Sequence, residues 1–117
     1  ARPDQTTRFS RDREGRLWHL SFMAKLTAAQ IKSALTHVPD WKRKGSSIHR
    51  TFLCKDFPAD LKFVNAVGRL AEKAWHHPDI DIRWNQVTLV LSTHDDGGLT
   101  AKDFALAKEF DRATGGS

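Results

Sequence analysis

The sequence lacks several things, and each shortage closes off a class of protein. Cys54 is the lone cysteine among 117 residues, so no disulfide can form within the chain. That points to a reducing compartment, and the cytoplasm is the expected location. No apolar run approaches the length of a membrane span, so no membrane association is expected. A basic start followed by an apolar stretch, the mark of a secretory leader, is missing too. Internal repeats and low-complexity tracts are absent. So is a spaced zinc motif such as His-Glu-x-x-His, and no metal is expected.

What is present fits one soluble domain with a modest core: 39% hydrophobic and 28% charged residues. The net charge of +5 invites a nucleic-acid reading, but its placement argues against one. Five arginines (Arg2, Arg8, Arg11, Arg13, Arg16) crowd the first 22 residues, offset by Asp4, Asp12 and Glu14. Beyond them the signs are mixed, and Lys42-Arg43-Lys44 is the one compact basic cluster. A solvated basic face accounts for it. Residues 1–22 read as a polar, Arg-rich extension, partly mobile, in which only "LWHLSF" offers apolar contacts. The domain is expected over residues 23–114, with a flexible tail at 115–117.

Three helices are legible. In "LTAAQIKSALTHV" Thr27 is an N-cap with Gln30 three residues on, and Leu26 and Ile31 form a hydrophobic staple. "LTAKDFALAKEFDRA" repeats the device with Thr100, Asp103, Leu99 and Phe104. The middle helix is expected from Phe57 to Trp75, capped by Asp56. It carries two apolar stripes about 110° apart at helical periodicity. One is Phe57, Leu61, Val64, Gly68, Ala71 and Trp75; the other is Phe63, Val67, Leu70 and Ala74. One sheet face needs a narrower arc, so the second stripe is the expected intersubunit face of a homodimer or homotetramer. "IHRTFLC" reads as a strand entered by a hairpin through Gly45-Ser46-Ser47 from a short strand at Trp41. "DIRW" and "VTLVLSTH" read as a second hairpin turning at Asn85-Gln86. The order α-β-β-α-β-β-α predicts an α+β fold: a four-stranded antiparallel sheet with three helices on one face.

The chemistry gathers in "EKAWHHPDIDIRWNQVTLVLSTHDDGGLTAKD", Glu72 to Asp103. Pro78 bars His77 from helical geometry, so His76 falls at the helix end and His77 on an extended residue. The two rings should then point in different directions. Glu72 stands four residues before His76, the spacing at which it could accept a hydrogen bond and fix the tautomer. His94 ends the last strand. Taken singly, each residue has an ordinary structural reading: a histidine at a helix end, a solvated Glu72, a helix-capping Asp103. Trp75 and Trp84 read first as core aromatics.

Taken together, the pattern resembles the pterin-4a-carbinolamine dehydratase family. The matching residues are Glu72, His76-His77-Pro78, Trp84-Asn85, Val87, Ser92-Thr93-His94, Gly98-Leu99-Thr100 and Asp103. Trp41, "IHRTF" and Lys55-Asp56-Phe57 match upstream, so the resemblance runs from about Leu26 to Phe110. It implies a hydro-lyase that converts a 4a-hydroxytetrahydropterin to quinonoid dihydropterin and water in tetrahydrobiopterin recycling. The pterin is the substrate, so no cofactor is implied. By the same resemblance His76, His77 and His94 are the expected catalytic residues. Pro78, Ser92, Thr93 and Asp95 are expected with them at the substrate, and Glu72 and Asp103 in support. Histidine titrates near neutrality and can give or take the protons that dehydration moves. We expect His76 and His94 to handle protons and His77 to orient the pterin. Two rivals stay open: a non-enzymatic partner-binding protein on this fold (a dimerisation cofactor or assembly factor), and a zinc site at the three histidines.

Overall fold

The computed structural model describes residues 24–93 and 97–114. The Arg-rich segment and the short tail lie outside the described residues. The elements run α1 (Ala28–Leu35), β1 (Lys42–Lys44), β2 (Ser47–Leu53), α2 (Phe57–Ala74), β3 (Asp79–Arg83), β4 (Gln86–Leu91) and α3 (Ala101–Thr114). All pairings are antiparallel and the sheet order is β1-β2-β4-β3. This is the α+β architecture expected from the sequence.

Local signals start and stop these elements. At α1 the Thr27 side chain accepts from the Gln30 backbone, and Gln30 returns a bond to the Thr27 backbone. At α2 the Asp56 carboxylate accepts from Ala59 N at 2.9 Å, with Pro58 tolerated in the first turn. Gly45 turns the β1–β2 hairpin at φ +59°. The β3–β4 turn falls on Trp84-Asn85 rather than Asn85-Gln86. Gln86 is held in register opposite both Arg83 and Leu53, which leaves two residues for the loop. Trp84 takes φ 52° to close it and is left largely exposed.

The pleat divides the sheet cleanly. Ile48, Phe52, Val87, Leu89 and Leu91 point to the helices and are buried, while Thr51 and Thr88 pair across the open face at 2.8 Å. Phe63 stacks on Phe52 with ring centroids 4.7 Å apart, and Val67 and Ala71 continue the contact. Burial of each of Phe52, Phe63 and Val67 contributes about 1.5–3 kcal/mol. The stripe of Phe63, Val67, Leu70 and Ala74 is therefore the inward face of α2, not an intersubunit face. Periodicity finds stripes but does not say which one meets the sheet; the Phe52–Phe63 stack does. The outward residues are Phe57, 47% exposed, and Leu61, 44% exposed.

The far end of α3 is fastened to the sheet by Asp111. It accepts from Trp41 Nε1 at 2.8 Å and from Arg50 at 2.7 Å, and the Arg50 guanidinium lies 4.2 Å from the Phe52 ring centre. One buried charge has no such partner. Asp60, in the first turn of α2, is fully buried, and neither carboxylate oxygen has a nitrogen or oxygen donor. The Cys54 thiol lies near it. Burial first, then the neighbouring Asp60 carboxyl, push that thiol up from 9.0 to about 11.

Candidate active site

The site begins with how α2 ends. Trp75 takes the left-handed conformation at φ 56° and ψ 40°, which reverses the chain. Its N–H reaches the Glu72 carbonyl at 3.2 Å, and the His76 N–H reaches the Ala71 carbonyl at 3.1 Å. These are the paired bonds of a Schellman ending. A bulky residue rarely adopts this geometry, so the ending is over-determined by its surroundings. Lys102, in the first turn of α3, donates from Nζ to the Trp75 carbonyl at 3.3 Å. A carbonyl at a helix C-terminus is a natural acceptor for a cation.

Once the chain has reversed, helical spacing no longer applies to His76. Its ring crosses to the start of α3, where Nε2 lies 2.5 Å from Asp103 Oδ1. His76 is nearly buried, with 11% of its side chain exposed, and Asp103 is fully buried. The other Asp103 oxygen accepts from Thr93 Oγ1 at 2.7 Å and from the Thr100 backbone N–H at 3.0 Å. Asp103 thus caps α3 and binds a histidine with one carboxylate.

His77 points elsewhere. Its Nε2 lies 2.8 Å from Glu72 Oε1, with about half of the ring's surface exposed, and its ring meets Trp75 edge-on at 5.9 Å. Glu72 therefore pairs with His77 and not with His76, contrary to the i, i+4 expectation. The left-handed Trp75 is the reason: it carries His76 off the face of α2 that Glu72 occupies. The two rings diverge, as the proline predicted, and each holds its own carboxylate.

Pro78 and Ser92 are half-buried beside these residues in sequence. Thr93 is buried and its hydroxyl is committed to Asp103. His94 and Asp95 lie outside the described residues. Their flanks are joined: Gly98 N–H donates to the Thr93 carbonyl at 3.2 Å. Among the described residues no three His, Cys, Asp or Glu side chains gather as metal ligands. Sequence reasoning missed Lys102 and the Thr100 hydroxyl as parts of the site. A lysine in the first turn of a helix opposes the helix dipole, and that was the available signal for Lys102.

Three helices on a four-stranded antiparallel sheet define an α+β protein, and two adjacent histidines, each paired to a carboxylate, stand at the end of its middle helix. Residues 24–113 match the family model described as Pterin 4 alpha carbinolamine dehydratase. A protein of Chloroflexus aurantiacus assigned as a pterin-4-alpha-carbinolamine dehydratase is 53% identical over 93 residues, covering 80% of this chain and all of the relative. One of Nocardia farcinica, assigned likewise, is 51% identical over 74% of this chain and 90% of its own. A crystal structure of a Brucella melitensis protein described as a transcriptional coactivator/pterin dehydratase superposes with a TM-score of 0.73 at 30% identity. It covers 76% of this chain and 97% of its own. The chain belongs to the pterin-4a-carbinolamine dehydratase family.

Proposed function

We propose that the protein is a 4a-hydroxytetrahydrobiopterin dehydratase that works by histidine acid–base catalysis in the cytoplasm, in tetrahydrobiopterin recycling. The reaction breaks the C4a–O bond and removes a proton from the neighbouring ring nitrogen. The products are a C=N bond and water. The leaving oxygen needs a proton and the nitrogen must lose one, so two proton-transfer groups are required. The observation that carries the reading is the His76–Asp103 pair, nearly buried and next to a second carboxylate-paired histidine. A solvated histidine at a helix end would not be given a fully buried carboxylate.

In this reading His76 and His94 move protons. His77 is held by Glu72 and orients the pterin, with Pro78, Ser92 and Asp95 beside it. A dehydration assay with a 4a-hydroxytetrahydropterin, run with and without chelator, tests it. Turnover well above the spontaneous rate and insensitive to chelator is the expected result. Loss of activity with chelator would move the case to the zinc alternative. No turnover would leave a partner-binding role on this fold.

We propose further that the protein is a homodimer or homotetramer. The outward face of α2, with Phe57 and Leu61 half in water, supports this reading, because a small monomer gains nothing from exposing them.

A further inference from the structure

We propose that Thr93 is a positioning residue: acting through Asp103, it holds His76 with its proton on Nε2 and leaves Nδ1 as the nitrogen that meets the pterin. This rests on the reading of His76 as a proton-transfer group. The argument is a count of protons. The Lys102 backbone N–H can only donate, and it lies 3.3 Å from Thr100 Oγ1. The Thr100 backbone N–H can only donate, and it reaches Asp103 Oδ2 at 3.0 Å. The Thr93 hydroxyl donates to that same oxygen at 2.7 Å. A hydroxyl has one proton. Thr93 has spent its own, so in its 3.1 Å contact with Thr100 Oγ1 it must be the acceptor.

The bonds therefore run one way, from Lys102 through Thr100 and Thr93 to Asp103. Chains of this kind polarise in a common direction. Oδ2 already takes two donors and has no room for a proton of its own. That leaves one proton to place, between Oδ1 and His76 Nε2 at 2.5 Å. Two donors on Oδ2 leave Asp103 an acceptor, and an acceptor at Oδ1 calls for a donor opposite it. Nε2 carries the proton and donates to Oδ1. A neutral imidazole has a single N–H, so Nδ1 keeps its lone pair, and it has no partner among the described residues. Neutral His76 then accepts at Nδ1, and the cation donates from Nδ1. Either direction of transfer passes through that atom. Thr93, Thr100 and Asp103 are all buried, so the arrangement is fixed before any ligand arrives.

The test uses the full chain labelled with nitrogen-15 in histidine. Long-range proton–nitrogen spectra should show His76 Nε2 as the protonated nitrogen when the ring is neutral. A proton on Nδ1 in the unmodified protein overturns the proposal outright. Thr93→Val keeps the side-chain shape and removes the hydroxyl. It should mix the two tautomers and lower kcat roughly ten- to a hundred-fold with KM little changed, by analogy with the loss of a partner that orients a metal-bound imidazole. Thr93→Ser should restore both spectrum and rate. A Thr93→Val protein with unaltered ring signals and turnover overturns the proposal, and so does a Thr93→Ser protein as slow as Thr93→Val. If Thr93→Val does not fold, the unmodified spectrum still decides. An inactive unmodified protein with the proton on Nε2 would sink the dehydratase reading and leave the tautomer assignment standing.

Discussion

At the scale of single residues, two carboxylates buried among the described residues, Asp103 and Asp60, make opposite predictions. Asp103 makes three hydrogen bonds through its two oxygens, whereas Asp60 has none from nitrogen or oxygen. An unsatisfied buried polar group costs about 1–3 kcal/mol. Asp60→Ala should therefore raise the free energy of urea unfolding by an amount of that order, and a loss of stability would show that the carboxylate has a role in the fold. The neighbouring thiol makes a pH prediction. Its folded value lies above the ordinary 9.0, at about 11, so the unfolded chain releases this proton first as pH rises. The stability it contributes is complete below pH 9.0 and is lost as pH climbs toward 11. Cys54→Ser should flatten that part of the stability profile. In the site, His76→Ala should cut turnover by roughly 10²–10⁴-fold with the fold retained, as read by a dehydration assay and circular dichroism. The sequence made His76, His77 and Asp103 visible through their motif, but not their partners. Asp103 takes the place beside His76 that spacing gave to Glu72, and Glu72 takes His77, because one backbone residue, Trp75, turns left-handed, and no periodicity in the sequence encodes that.

At the scale of elements, the same substitution should act with opposite signs at two glycines. Gly45 turns the β1–β2 hairpin at φ +59°, and a methyl there would meet no atom within 4 Å. Gly45→Ala should therefore cost only the left-handed penalty, about 1–2 kcal/mol. Gly68 sits mid-helix in α2 with equally open surroundings and no positive φ. Gly68→Ala should stabilise by about 0.5–1 kcal/mol. Thermal melts of the two variants measure both; a shared sign would mean that one site is governed by a contact outside this chain. The elements themselves were largely legible. Caps at Thr27, Asp56 and Thr100 marked helix starts, and alternation in Val87-Leu89-Leu91 gave the buried face of β4. The β3–β4 turn was misread by one residue because Asn is the commoner turn former, while register with two neighbouring strands decided the matter.

At the scale of the whole molecule, the inward and outward faces of α2 were exchanged in the sequence reading. Both stripes are apolar, and burial is settled by what lies opposite. The proposed assembly therefore moves to the face bearing Phe57 and Leu61. Leu61→Arg should leave the subunit folded and lower the mass seen by light scattering. A monomeric unmodified protein at micromolar concentration would end the proposal. The sheet adds a limit of its own. Its two free edges are unequal: β1 is three residues long and all cationic, Lys42-Arg43-Lys44, while β3 spans Asp79–Arg83 with Ile80 partly in water. Two copies meeting at β1 would set like charges against each other, a common guard on exposed edges. Among the described residues β3 is the edge without this guard. Two copies joined β3 to β3 would use that edge up and leave a cationic β1 at each end of the combined sheet, where two such pairs would repel.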